Sequence, residues 1–376
     1  MKLKIIIVAY YKSYPPESGA ASVTFNLSKH LAGNRTLIQL NPRAKPHRFD
    51  EEFDIINEWG FPHNKILKVI GIFFRLPFLV NRIRDLNARV VIIEGAAWSC
   101  YNIALFFCIM AFLPSVRIVY HAHNVEYFLR KKKDNAVIAI LSRWAEGFLI
   151  KKSSLSFAVS RVDAQAFEKL YGTKPRILPN GIDLAMINGI SRQRVSEIRV
   201  KYGLRSPVVL FMGLIGFKPN NEALNFLNSE VFPKLHAHSP NIKLAIIGGK
   251  VPSTAPWMIN PGSIPYEDVG PFLMACDLCV APIFSGSGTR LKILEYLGAR
   301  RPVVSTSKGA EGLQLRDGYD LVIAQAADEF VKAILHLIEN PEIASRLGRQ
   351  GYDTVARLFS WPSIIHELNS ELLRLL

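Results

Sequence analysis

Two doubly wound α/β domains in tandem are the architecture this sequence predicts. Three observations carry it. Short apolar strands alternate with helical segments through both halves, loops rich in Gly, Ser and Asn follow the strands, and no long repeat or low-complexity tract interrupts the pattern. At 376 residues, 49% of them hydrophobic, the chain can bury two cores. We place the domains at 1–184 and 185–355, with 356–376 as a terminal helix.

In the first half, strands are expected at 3–10, 37–40, 54–56, 90–94, 117–122, 156–160 and 176–178. After the first, Pro16 ends the extended run and Ser18-Gly19-Ala20 turns into a helix with Val23, Leu27 and Leu31 on one face. Residues 66–86 join a strongly apolar face to Lys68, Arg75, Arg82 and Arg84, and Pro77 is expected to kink or break the helix. Such a stretch suits a membrane interface, or a core-packed helix with a solvated basic edge. Residues 102–113, NIALFFCIMAFL, are apolar all round and predict a buried helix. The strand at 117–122 runs into His121-Ala122-His123-Asn124-Val125-Glu126. His-x-His invites a metal, but the sequence offers no evident third ligand, so none is expected. The run Arg130 to Lys133 is a solvated face or a grip on a lipid head group. Asn180-Gly181, after the last strand of this half, is a turn signal.

The second half repeats the plan, with strands at 207–212, 244–248, 278–283, 302–306 and 321–324. Gly213 opens the loop after the first of these, and Lys218 stands at the mouth of the next helix. After 278–283 comes a Ser and Gly loop, then a helix whose Leu291, Leu294, Leu297 and Gly298 can face a core. Gly286 and Gly288 let the backbone approach a ligand, and the amides of Gly288, Thr289 and the first helical turn lack intrahelical partners. Arg290 and Lys292 add positive charge where the helix dipole disfavours it, so their placement points to a bound phosphate. Strand 302–306 empties into a second Gly-bearing loop, Lys308 to Gly312, which includes Glu311; parallel pairing brings both loops to one carboxyl edge. Between them Glu295 can accept hydrogen bonds from sugar or ribose hydroxyls.

The net charge of +15 is uneven: residues 1–183 hold 26 Lys and Arg against 14 Asp and Glu, and the remainder 20 against 17. A surplus of this kind suits nucleic acid, an anionic membrane face or an anionic acceptor. Cys276 and Cys279 share a CxxC spacing, but the second lies inside a strand, so buried free thiols and a reducing compartment are expected. Residues 1–11 read as a strand rather than a signal peptide, and no run reaches the roughly 18–20 apolar residues that span a bilayer. A cytoplasmic protein, soluble or peripheral on the membrane, is expected.

The block at 281–313 resembles the donor-binding signature of retaining glycosyltransferases of the GT-B fold, family 4, the glycosyl transferases group 1. In that family two Glu separated by seven residues flank the donor sugar and nucleotide. Glu295 matches the second; Ser287 stands at the first, as in a branch whose loop reads much like GSGTRLKILE. The resemblance implies two Rossmann-like domains facing across a cleft and metal-independent transfer from a nucleotide-diphosphate sugar to a glycan or lipid-linked acceptor, with no cofactor and no nucleic acid partner. It places Lys218 on the leaving diphosphate, Arg290 in the role of an Arg usually found where Leu214 stands, and His123 of the His-Asn-x-Glu element near the donor sugar. With Lys292 and Glu295 these form the implied catalytic set. Gly19, Asn180, Gly213, Ser287, Gly288, Thr289, Leu291 and Glu311 are implied in donor binding, and Glu126 on the acceptor side. The terminal helix is implied to cross back to the first domain. Two other readings share the fold: a noncatalytic sugar-nucleotide-binding subunit, and a sugar-nucleotide 2-epimerase with Glu126 and Glu295 as acid and base.

Overall fold

In a computed structural model of the protein, residues 3–14, 16, 18–40, 47–48, 53–58, 65–95, 99–133, 136–205, 207–252, 255–286 and 288–376 are described. They divide into two compact units, Met1–Asn180 with Trp361–Leu376, and Gly181–Ser360. The divisions fall at 180/181 and 360/361, where the sequence suggested 184/185 and 355/356.

The first unit runs β1 (Lys4–Ala9), α1 (Gly19–His30), β2 (Asn34–Leu40), β3 (His47–Arg48), β4 (Phe53–Glu58), α2 (Lys65–Asp85), β5 (Val90–Glu94), α3 (Ser99–Phe112), β6 (Arg117–Ala122), α4 (Glu126–Lys133), α5 (Ala136–Lys152), β7 (Leu155–Ala158), α6 (Arg161–Tyr171) and β8 (Arg176–Ile177). Its sheet has the order β3-β4-β2-β1-β5-β6-β7-β8, parallel except for the short β3–β4 pair. Helices cover both faces of a parallel sheet, which is why KIIIVA and VVIIE are apolar runs rather than alternations. From β1 the chain moves first toward β2 and later returns to place β5 on the other side, with Ile5 opposite Val90. The order therefore reverses between β1 and β5, and the carboxyl ends of strands at such a reversal are where open α/β sheets bind ligands.

The second unit contains α7 (Ala185–Asn188), α8 (Arg192–Tyr202), β9 (Val208–Met212), α9 (Lys218–Phe226), a wider helical turn at Leu227–Val231, α10 (Phe232–His238), β10 (Lys243–Ile247), β11 (Met258–Gly262), α11 (Tyr266–Ala275), β12 (Leu278–Ala281), α12 (Leu291–Gly298), β13 (Val303–Ser305), β14 (Val322–Ile323), α13 (Ala327–Glu339) and α14 (Pro341–Phe359). The sheet order is β11-β10-β9-β12-β13-β14, with parallel pairing throughout. Along β9, Val208 and Leu210 enter one apolar core and Val209 and Phe211 the other, as period-two side chains of a two-sided sheet must. Here the order reverses between β9 and β12. Buried Cys276 and Cys279 are free thiols, and burial raises both above the usual thiol range.

The last helix, α15 (Trp361–Arg374), belongs to the first unit. It packs on α1: the Trp361 ring stacks on His30 with centres 6.3 Å apart, and Asn369 Oδ1 accepts from the Ala32 amide at 3.3 Å.

Three expectations need correction. Helix α2 runs unbroken through Pro77, which is exposed, so water can reach the carbonyl that loses its partner. Helix α3 is not fully buried: Phe107, Met110 and Phe112 are exposed. Strands β3 and β11 lie in stretches not read as strands; β11 is the sheet's edge, a place that tolerates its Pro261. No described helix is long and apolar enough to cross a membrane.

Trp361 is fully buried and anchors α15. Trp361→Ala should cost the first unit about 3–5 kcal/mol, the usual range for emptying a buried aromatic site. Urea unfolding followed by far-ultraviolet circular dichroism measures it; an unchanged midpoint would mean that α15 contributes little to this unit.

Candidate functional site

Each sheet gathers polar groups at its point of reversal. In the second unit the loop from Ser285 to Arg290 leaves β12 beside the loop that leaves β9. Gly286 and Gly288 have φ of 101° and 76°, a region that costs glycine nothing and other residues strain. Arg290 is the N-cap of α12, with no side-chain cap bond and no acid in the first turn. No acid and no capping side chain thus competes with an incoming group at this helix start, where the Ile293 amide donates to the Arg290 carbonyl at 3.0 Å. Arg290 folds the loop around its guanidinium: Nη1 donates to the Gly288 carbonyl at 2.8 Å and Nη2 to the Ser285 carbonyl at 3.2 Å. The Ser285 hydroxyl donates to Glu222, tying this loop to α9.

Lys292, in the first turn of α12, points back toward β9. Its Nζ donates to Asn220 Oδ1 at 2.8 Å and lies 4.4 Å from the centre of the Phe211 ring. Asn220 is held in turn by donating to the Leu214 carbonyl at 3.0 Å. A Cβ at Gly213 would come within 2.8 Å of Lys292 Nζ and 2.7 Å of Asn220 Nδ2, so a larger residue there would push this pair out of place. Burial, helped by Arg290, pushes the Lys292 ammonium down to about 7, with Glu295 acting against the shift. Burial pushes the Glu295 carboxyl up to about 7, and Lys292 opposes it. A desolvated ammonium beside a guanidinium and a bare helix start can do one thing well: neutralise a multiply charged anion.

The other residues singled out in this half are placed as follows. Lys218 begins α9 with its side chain 81% exposed, its Nζ 3.9 Å from Glu222 Oε1. Glu311 is paired with Lys308 on the second loop. Thr289 is partly buried between Gly288 and Arg290, and Leu291 packs on the core, so it can offer a ligand only its backbone amide. Ser287 lies outside the described residues. Asn220, which holds Lys292, was not anticipated.

In the first unit, Glu94 ends β5 and stands opposite His121 of β6 in the parallel register. The Glu94 carboxylate is fully buried; Oε2 lies 2.6 Å from His123 Nε2, and His121 Nδ1 lies 3.2 Å from both of its oxygens. Thr24 Oγ1 donates to Oε2 at 3.0 Å, and the Tyr11 hydroxyl is 2.8 Å from Thr24. Burial alone would raise the Glu94 carboxyl, but the charge and hydrogen bonds of His121 and His123 outweigh it and hold it well below the usual range. The expectation that His121 and His123 lack a third ligand group is thus corrected: the ligand atoms of all three residues lie within 4.8 Å of one another. The 2.6 and 3.2 Å separations are hydrogen-bond lengths, and the carboxylate orients both rings. Only an acid at the end of an otherwise apolar strand marks Glu94 in the sequence.

Glu126 opens α4, buried, with Oε1 accepting from Arg130 Nε at 2.7 Å. Its amide donates to Glu146 Oε1 at 2.7 Å, and burial pushes the Glu146 carboxyl up to about 7. Gly19 is the exposed first residue of α1, beside Ser18, whose hydroxyl accepts from the Ala21 amide. Asn180 is buried and ends this unit.

Two Rossmann-like units, the second with cations gathered at the reversal of its sheet, define a protein of the GT-B glycosyltransferase fold. The family profile described as Glycosyltransferase Family 4 matches residues 18–186, and that described as Glycosyl transferases group 1 matches 206–340. The chain belongs to this group 1, family 4-like set of glycosyltransferases. Among solved structures, the sucrose-phosphate synthase of Thermosynechococcus elongatus superposes with a TM-score of 0.78 at 14% identity, over 100% of this chain and 99% of that one. Anabaena HepE, solved with UDP-glucose, gives 0.74 at 13% identity, over 99% and 100%. At these identities the likeness is one of fold. The Bacillus subtilis glycosyltransferase TuaC, assigned provisionally to teichuronic acid biosynthesis, is 28% identical over 215 residues, which are 56% of this chain and 53% of that protein. The match spans about half the length of that relative.

Lys292→Met should stabilise the second unit by about 1–4 kcal/mol, the range found when a desolvated charge gives way to an apolar chain of similar size. Because the folded state holds this proton less tightly than the unfolded chain, the penalty removed is full below pH 7 and fades as pH rises from about 7 toward 10.5. Urea unfolding at pH 6.5 and pH 9.5 tests this; an equal gain at both values would contradict a depressed ammonium.

Proposed function

We propose that the protein is a retaining, metal-independent glycosyltransferase that moves a sugar from a nucleotide-diphosphate sugar to a glycan or lipid-linked acceptor. One observation carries the reading: Lys292 is held desolvated beside Arg290 at a helix start that carries no acid and no side-chain cap. Such an arrangement costs stability unless an anion joins it, and a diphosphate supplies the charge it lacks.

In the proposed reaction the bond between the anomeric carbon and the diphosphate oxygen breaks as the acceptor oxygen bonds to the same face of that carbon. The acceptor proton passes to the departing phosphate oxygen. The main demand on the protein is to stabilise charge growing on the diphosphate, which Lys292, Arg290 and the amides from Gly288 to Lys292 would meet without a metal. Lys218, exposed at the start of α9, would swing onto the outer phosphate. Glu295, with its carboxyl near the neutral range, would bind hydroxyls of the sugar or ribose. On the first unit, Glu94 would fix the His123 ring for contact with the sugar, and Glu126 would line the acceptor side. UDP-glucose, bound by Anabaena HepE, is the first donor to try.

The decisive experiment incubates the protein with a panel of radiolabelled nucleotide sugars and a bacterial glycolipid extract. Label is expected in the acceptor fraction; donor bound but unchanged would instead favour a noncatalytic subunit, and donor isomerised without transfer an epimerase. Arg290→Ala and Lys292→Ala should each lower turnover about a hundredfold or more, the scale for losing one transition-state donor. Near-normal rates in both variants would remove the phosphate grip from the mechanism. Transfer should also survive exhaustive dialysis against EDTA; loss of activity restored by a divalent cation would reassign Glu94, His121 and His123 as a metal centre.

A further inference from the structure

The exposed apolar side chains of this protein are not scattered. Those of α5 recur at Val137, Ile140, Leu141 and Trp144, an i, i+3, i+4, i+7 spacing that puts them on one stripe. The opposite side of the helix, Ala139, Ala145, Leu149 and Ile150, is buried. Helix α5 is therefore apolar on two faces, and among the described residues one is buried and the other exposed. The exposed stripe continues onto α3. Trp144, 61% exposed, stacks on Phe148 with ring centres 5.9 Å apart, and Phe148 lies 5.2 Å from Phe107, itself 53% exposed, with Met110 exposed one turn on. Helix α3 has no charged residue along its length. Single exposed apolar residues are ordinary, but a continuous aromatic and aliphatic strip across two helices marks a surface that is covered in use.

The charges around the strip identify the cover. Helices α2 to α5 carry twelve Lys and Arg against three acids, and two of the acids, Glu126 and Glu146, are buried. Arg143 sits beside Trp144 on α5, Lys151 and Lys152 are exposed at its end, and Arg82 and Arg84 are exposed on α2, which packs against α3. A second copy of the chain docking through this same face would bring these cations against one another. An anionic lipid surface is complementary to both parts: hydrocarbon for the strip and head-group charge for the rim. A tryptophan within such a strip suits the boundary between acyl chains and head groups. Helix α3, with 14 residues, is too short to span a bilayer, so the strip would lie in the plane of the interface.

We propose that the face formed by α3 and α5 seats the first unit on a bilayer containing anionic lipids. The proposal gives a location to the lipid-linked acceptor suggested above and deepens that reading, yet its test needs neither donor nor acceptor. It can fail while transfer to a soluble glycan stands, and the reverse.

The test is flotation of the full chain with vesicles of phosphatidylcholine and phosphatidylglycerol at low salt, beside vesicles of phosphatidylcholine alone. The protein should float with the anionic vesicles. The triple variant Ile140→Ser, Leu141→Ser, Trp144→Ser should remain at the bottom with its circular dichroism and melting temperature unchanged, as expected for exposed positions. Lys151→Ala with Lys152→Ala should weaken binding about tenfold or more and leave a smaller dependence on salt. Wild-type protein that fails to float overturns the proposal. So does flotation undiminished in both variants, or a stable dimer that the triple variant dissolves while vesicles bind neither form.

Discussion

The hydrogen bond from Lys292 to Asn220 is the interaction on which the geometry of the second unit's candidate site turns. It joins the start of α12 to the start of α9 beneath Gly213 and takes an ammonium out of water to do so. That position is unfavourable in isolation, as the depressed pKa of the lysine records. It persists because the sheet order places β9 beside β12, so two loops with no room for bulk meet above it. Gly213 has no side chain to intrude, Gly286 and Gly288 supply backbone angles that other residues resist, and Arg290 braces the loop through its own carbonyls. Taking the ammonium out of water costs stability locally, and the surrounding scaffold offsets that cost.

The first unit applies the same geometric rule with different chemistry. Its reversal lies between β1 and β5, and there a buried carboxylate holds two imidazoles and a threonine hydroxyl in place of a cluster of cations. Glu94 reaches His121 through strand register alone, 27 positions apart in the chain. The two units thus hold opposite kinds of group at equivalent places in their sheets.

The outer surface of the first unit obeys a third constraint. A helix that packs on a sheet needs one apolar face, and α5 has two. The second face has no role in the fold described here, and its aromatic chain through Phe107, Phe148 and Trp144 joins it to α3. Basic residues gather on α5 and on its neighbours α2 and α4, so part of the positive surplus of the first half lies on the helices around this strip.

Periodicity and loop chemistry were enough to read the alternating strands, the two-domain plan and the Gly-bearing loop that carries Arg290 and Lys292, because each is written in neighbouring residues. Interactions that depend on distant partners were not legible. Asn220 beneath Gly213, the carboxylate of Glu94 between His121 and His123, and the pairing of Glu311 with Lys308 instead of an open acid all depend on which strand lies beside which, or on how a loop closes. The uniform apolarity of α3 was visible, but whether that helix is enclosed depends on how much protein stands over it, and here one side is left open. Local sequence encodes backbone preference and the kind of group each position offers. Burial, and with it the charge state of Lys292, Glu295 and Glu94, exists only when residues far apart in the chain have displaced the water between them.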